Sequence, residues 1–314
     1  MNKPIYKLRR WIDKTKLNNS CLSLNPNAID YLTENPDLIV WDYLSSNKNA
    51  IALLLKNKDK IYLNYLCKNE NEEVIGIIRD NKDKIANWYY LNRNRNPAIF
   101  KFILENPDKI NWYVFISNEN SADFINNNLD FFYNKLKDFK WEALSKNTNP
   151  KILQLLKDNK NRLDWYHLSK NPLLFDVIKG CDNYPYFHKI DWAQLCLNED
   201  KRAIELLKIN KNKIAWDMLS SNPNAIELLE KNMDLIDWNY LSSNPNAMNL
   251  LRDNPQMIVW YKFSLNPSIF QLDYEQMALN FLDLQEEILK EVLKPSRVFR
   301  NLELYGYDID DMFD

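Results

Sequence analysis

A unit of about 22 residues recurs along almost the whole chain, and nothing else in the sequence constrains the fold as tightly. Residues 222–243 read NPNAIELLEKNMDLIDWNYLSS, and residues 244–265 read NPNAMNLLRDNPQMIVWYKFSL. With the tryptophan as origin, the copies are centred on Asn19, Trp41, Leu63, Trp88, Trp112, Trp141, Trp165, Trp192, Trp216, Trp238 and Trp260. Three residues after each origin stands Leu or Phe, and six residues after it stands Asn. The asparagines are Asn25, Asn47, Asn69, Asn94, Asn118, Asn147, Asn171, Asn198, Asn222, Asn244 and Asn266. Agreement at every copy requires a physical role for that amide.

Each unit reads as a pair of helices. Asn-Pro, as at Asn222-Pro223, Asn244-Pro245 and Asn266-Pro267, is a helix start: the amide oxygen accepts from an unpaired backbone N–H, and proline fits the first helical position. Asn25, Asn47, Asn222, Asn244 and Asn266 are therefore expected as helix caps. Ala225, Ile226, Leu228 and Leu229 then share a stripe. A second asparagine, as in Asn35-Pro36, Asn106-Pro107 and Asn254-Pro255, is expected to start the helix that carries the tryptophan. Two helices of roughly eight to ten residues are marginal alone and gain stability by stacking. The expected fold is all-α: an α-solenoid of about ten helix pairs of 22–29 residues, extended as a rod or arc with capped ends. Residues 1–18 read as the N-terminal cap, 19–272 as the array, and 273–314 as a C-terminal helical cap with an acidic tail. Trp41, Trp88, Trp112, Trp141, Trp165, Trp192, Trp216, Trp238 and Trp260 are the expected repeat core.

Composition narrows the function. Three glycines in 314 residues argue against folds that wrap a phosphate in a glycine-rich turn. A formal net charge of −2 lacks the basic excess of a general nucleic-acid binder. Cys21, Cys67, Cys181 and Cys196 are scattered, without CxxC, and read as reduced thiols of a soluble intracellular protein. His167 and His188 belong to no metal-binding pattern, and Asp308, Asp310 and Asp311 lack the glycine and glutamate of a calcium loop. Cys181 with His188 in one insertion is the weak case for a nucleophile. No catalytic residue, metal or cofactor is expected.

One residue past the tryptophan, the helix should turn outward. Tyr89, Tyr113, Tyr166, Tyr261, Asp42 and Asp217 occupy that place and form the expected partner-binding surface. Two irregular stretches, 126–137 and 180–188, read as loops that add to it, or as drift.

The repeat, the opening KLRRWIDKTKLN leading into LSLNPNAI, and the closing LKPSRVFRNLELYGYDIDDM together resemble tandem-repeat proteins encoded in many copies by giant DNA viruses of amoebae and algae. Lys294 stands where that family's terminal motif has histidine. The resemblance implies a helical repeat protein without established enzymatic activity. The expected function is a non-enzymatic scaffold for a protein partner in infected host cytoplasm. Alternatives are a structural virion component and a repeat that binds single-stranded RNA, the latter disfavoured by Asp and Glu in the variable row.

Overall fold

The computed structural model describes residues 4–136, 140–179 and 186–305. Among the described residues it is mostly helical, with two three-residue strands, Tyr6–Leu8 and Phe270–Leu272, in one sheet. The chain divides into two compact units, one of Leu8–Phe270 and one of Met1–Lys7 with Gln271–Asp314.

Within Leu8–Phe270 the local pattern is finer than two long helices. In the unit that starts at Asn222, a 3-10 turn Pro223–Ala225 runs into a helix Ile226–Glu230. A second 3-10 turn, Met233–Leu235, precedes the indole helix Trp238–Leu241. Most helices here have four to seven residues, shorter than the sequence suggests; Lys201–Ile209, with nine, is an exception. The second asparagine explains the shortening. The Asn232 side chain donates to the Leu228 carbonyl four residues back, as Asn35 does to Tyr31, Asn106 to Phe102 and Asn254 to Leu250. These residues make no side-chain cap to the turn that follows. Asn35, Asn106 and Asn254 therefore end one helix rather than begin the next, by satisfying a terminal carbonyl.

The invariant asparagines do more than cap. The Asn47 side-chain oxygen accepts from the Asn49 N–H, while its amide donates to two carbonyls of the preceding unit, Ser23 at 3.0 Å and Asn25 at 2.9 Å. Asn69 repeats this on Ser45 and Asn47, Asn222 on Cys196 and Asn198, and Asn244 on Ser220 and Asn222. Each amide is buried, where an unpaired polar group would be costly. A second ladder uses the residue four past the origin. Ser45 Oγ donates to the Trp41 carbonyl and accepts from the Tyr62 N–H of the next unit; Ser220 does the same between Trp216 and Asp237.

Both ladders continue from the last unit to the first. Asn25 donates to the carbonyls of Ser264 (3.0 Å) and Asn266 (2.9 Å), the two places that any other unit finds in its predecessor. The Asn18 N–H donates to Ser264 Oγ at 2.9 Å, and Asn27 donates to the Pro267 carbonyl as Asn49 does to that of Pro26. Lys16 lies over the Trp260 ring just as Lys60 lies over Trp41. Residues 8–18 thus join the two ends of the array instead of covering a free one: Trp11 packs on Phe263, and Arg9 bonds the carbonyls of Ser268 and Ile269. An open rod or arc is not what these bonds describe.

The deepest layer is the residue three past the origin. Leu44, Leu66, Leu91, Phe115, Leu144, Leu168, Leu195, Leu219, Leu241 and Phe263 have no exposed surface. The indoles lie nearer the surface. Trp141 is buried, whereas Trp41, Trp88, Trp112, Trp165, Trp192, Trp216, Trp238 and Trp260 are half-buried. Cations of the following unit cover several of them, Lys213 on Trp192 at 4.2 Å and Arg162 on Trp141 at 5.4 Å.

In the other unit, a helix Tyr274–Val292 is capped by Asp273, which also pairs with Lys7 at 2.9 Å. A helix Pro295–Tyr305 follows, opened by its proline as the sequence suggests. Gly306, the acidic tail with Asp308, Asp310 and Asp311, and Cys181 lie outside the described residues.

Candidate interaction surface

A helix turns about 100° per residue, so with positions +3 and +4 buried, +1, +2 and +5 point away from the core. The structure follows that geometry at +1 and +5, whereas at +2 Cys21, Val114, Ala143 and Gln194 are buried. Tyr89, Tyr166 and Tyr261 at +1 are 41%, 51% and 57% exposed, and Asp217 is exposed as well. Asp42 and Tyr113 are half-buried. Tyr113 is held: its hydroxyl donates to Glu142 and accepts from Lys146. The Tyr113 and Lys146 bonds hold the Glu142 carboxyl below its ordinary range, while burial pushes the Tyr113 hydroxyl up.

Sequence reading found the +1 row and missed +2 and +5, which complete the surface. At +2 stand Tyr43, Tyr65, Tyr90, His167, Gln194 and Tyr240, and at +5 Lys68, Arg93, Lys146 and Lys170. The three positions make a strip along which side chains of several neighbouring units touch. Tyr43 meets Tyr65 edge-on at 5.7 Å, and Gln194 donates to the Tyr166 hydroxyl at 2.9 Å. Lys68 lies over both Tyr65 (4.7 Å) and Tyr90 (4.3 Å). His167 bonds Asp164 at 2.9 Å through Nδ1. The signal at +5 is the recurrence of a cation at Lys68, Arg93, Lys146 and Lys170.

The strip is uneven in charge. From Asn64 to Lys170 its positions hold Lys68, Arg93, Lys146 and Lys170 against Glu142, with Tyr65, Tyr89, Tyr90, Tyr113 and Tyr166 between them. The remainder holds Lys262 against Asp42 and Asp217.

The first irregular stretch serves differently from a loop. Leu129–Asn134 is an additional helix whose Phe132 is buried against Trp141 at 5.5 Å, with Phe131 on Trp112 at 4.9 Å. In the second stretch, residues 180–185 lie outside the described set; Tyr186 stacks on Trp165 at 5.2 Å and His188 is exposed. Among the described residues no group of three or more His, Cys, Asp or Glu could hold a metal ion, and no helix is long and apolar enough to cross a membrane. Cys21, Cys67 and Cys196 are buried thiols, and burial pushes Cys67 and Cys196 up to about 11.

Compared with family models, curated proteins and solved structures, the chain matches none.

Proposed function

We propose that the repeat array is a closed α-solenoid ring of eleven units that acts as a non-enzymatic scaffold for a protein partner. The observation that carries the ring is the bonding of Asn25 to Ser264 and Asn266 in the register used between all other units. Neighbouring indole helices contact each other directly in most units, more than neighbouring asparagine-capped helices do, which supports placing the indole helices at the smaller radius. The strip of +1, +2 and +5 side chains then faces the centre. Helices packed ~8–10 Å apart give eleven units a circumference of roughly 90–110 Å. Subtracting a helix thickness of about 10 Å leaves an opening of roughly 20 Å.

Exposed tyrosines on a rigid frame support partner binding, since Tyr offers large contact area at low entropic cost and a hydroxyl for hydrogen bonds. The protein belongs, in this reading, with the repeat proteins of giant DNA viruses and works in the infected cell. Photo-crosslinking from positions 89, 166 and 261 in infected cells tests it. The reading requires one protein crosslinked from at least two of these positions and released by Tyr→Ala at neighbouring strip positions. Crosslinks spread over unrelated proteins, or none, would refute it.

A further inference from the structure

The basic, tyrosine-rich arc of the strip has a chemistry that selects among partners. Lys68, Arg93 and Lys170 are exposed, and none has an acidic partner among the described residues. Lys146, in contrast, is already paired with Glu142 at 3.1 Å. Lys68 stands between the faces of Tyr65 and Tyr90, and the Tyr166 hydroxyl is fixed by Gln194. Lys68 is thus set among ring surfaces, while Arg93 and Lys170 stand exposed on the same arc.

Resting on the scaffold reading above, we infer that this arc docks an extended acidic peptide segment of the partner, its carboxylates meeting Lys68, Arg93 and Lys170. A single-stranded nucleic acid fits less well. Bases need bare aromatic faces, and the Lys68 ammonium already occupies those of Tyr65 and Tyr90. Glu142, which lies among the cations, would also repel a continuous run of phosphates. In a peptide, carboxylates sit on flexible side chains and can turn away from that position. Neighbouring helices are ~8–10 Å apart, and an extended chain in the polyproline-II conformation advances ~3.1 Å per residue with about three residues per turn, so acidic side chains three residues apart share a face and match successive units. Five units then span about twelve residues of peptide.

Fluorescence anisotropy with the full chain and a labelled oligo-glutamate of about twelve residues tests the inference, with oligo-lysine and oligo-thymidylate of equal contour as comparators. Oligo-glutamate should bind, more weakly as salt rises, and oligo-lysine should not. The triple variant Lys68→Ala, Arg93→Ala, Lys170→Ala should lose about tenfold in affinity, a change on the order of 1.4 kcal/mol. Lys56→Ala, Lys82→Ala, Lys211→Ala, which removes three exposed cations away from the strip, should bind as the parent does. Thermal melts of both variants should match the parent, so that lost binding is not lost folding. Absence of oligo-glutamate binding, equal losses in the two triple variants, or preferred binding of oligo-thymidylate would each overturn the inference; the last would make a nucleic-acid strand the occupant. If oligo-glutamate fails while crosslinking from 89, 166 and 261 still finds one partner, the scaffold stands and only the acidic occupant is wrong.

Discussion

At the scale of single residues, the amide at +6 and the aliphatic side chain at +3 outrank the indole. Asn222 makes three hydrogen bonds from a buried site, and its removal strands two carbonyls and an N–H. Asn222→Ala should cost about 3 kcal/mol in urea denaturation, given ~1–3 kcal/mol for a buried group left unpaired. Leu241→Ala should cost about 2–5 kcal/mol, the range for a fully buried aliphatic residue. Trp238→Ala, at a half-buried site, should cost less than Leu241→Ala, and the reverse order would show that the indole is the true core. The thiols set an alkaline limit. Cys67 and Cys196 titrate near 11 when folded, above the ordinary thiol at 9.0, so the folded state disfavours their ionisation. Stability from this source is full below the unfolded value and is lost as pH rises from about 9 towards 11. The melting temperature should fall over that window, and less so in Cys67→Ala, Cys196→Ala.

At the scale of elements, the units are joined side chain to backbone, and the donor can be exchanged where its geometry is kept. Cys196 Sγ occupies the place of the serine hydroxyl, donating to the Trp192 carbonyl and accepting from the Ala215 N–H. Cys196→Ser should therefore be neutral or stabilising, whereas Ser220→Ala should lower stability by about 1–3 kcal/mol by leaving the Asp237 N–H without its acceptor. Chemical denaturation of the two variants side by side reads both effects. Much of this level was legible: the period, the Asn-Pro helix start and the +3 layer follow from spacing alone. The role of Asn35, Asn106 and Asn254 was not, because asparagine before proline looks the same whether its side chain reaches forward to an N–H or back to a carbonyl. The helix Leu129–Asn134 was hidden for a related reason. NNNLDFFYNKLK departs from the period and so resembles a loop, although Phe131 and Phe132 supply core contacts.

At the scale of the molecule, the proposed closure is what sequence could not supply. A period fixes the neighbour of each unit, but the curvature that decides whether the eleventh meets the first arises from small rotations summed over all joints. One trace was present: Asp13 to Asn18 repeats the turn that precedes most origins among the described residues, and Asn266 to Ile269 repeats the asparagine-capped start, so each end carries half a unit. The candidate surface was half legible for the same reason, since +1 was visible but the direction of +2 and +5 depends on which side of the helix is buried. Closure is tested most directly by electron–electron distance measurement on spin labels in a background without native cysteines. Thr15 and Gln256 occupy equivalent exposed positions on either side of the joint, as Asp37 and Asp59 do in two adjacent interior units. The ring predicts the same short distance for both pairs, whereas a Thr15–Gln256 distance of several tens of ångströms, with Asp37–Asp59 still short, would contradict it.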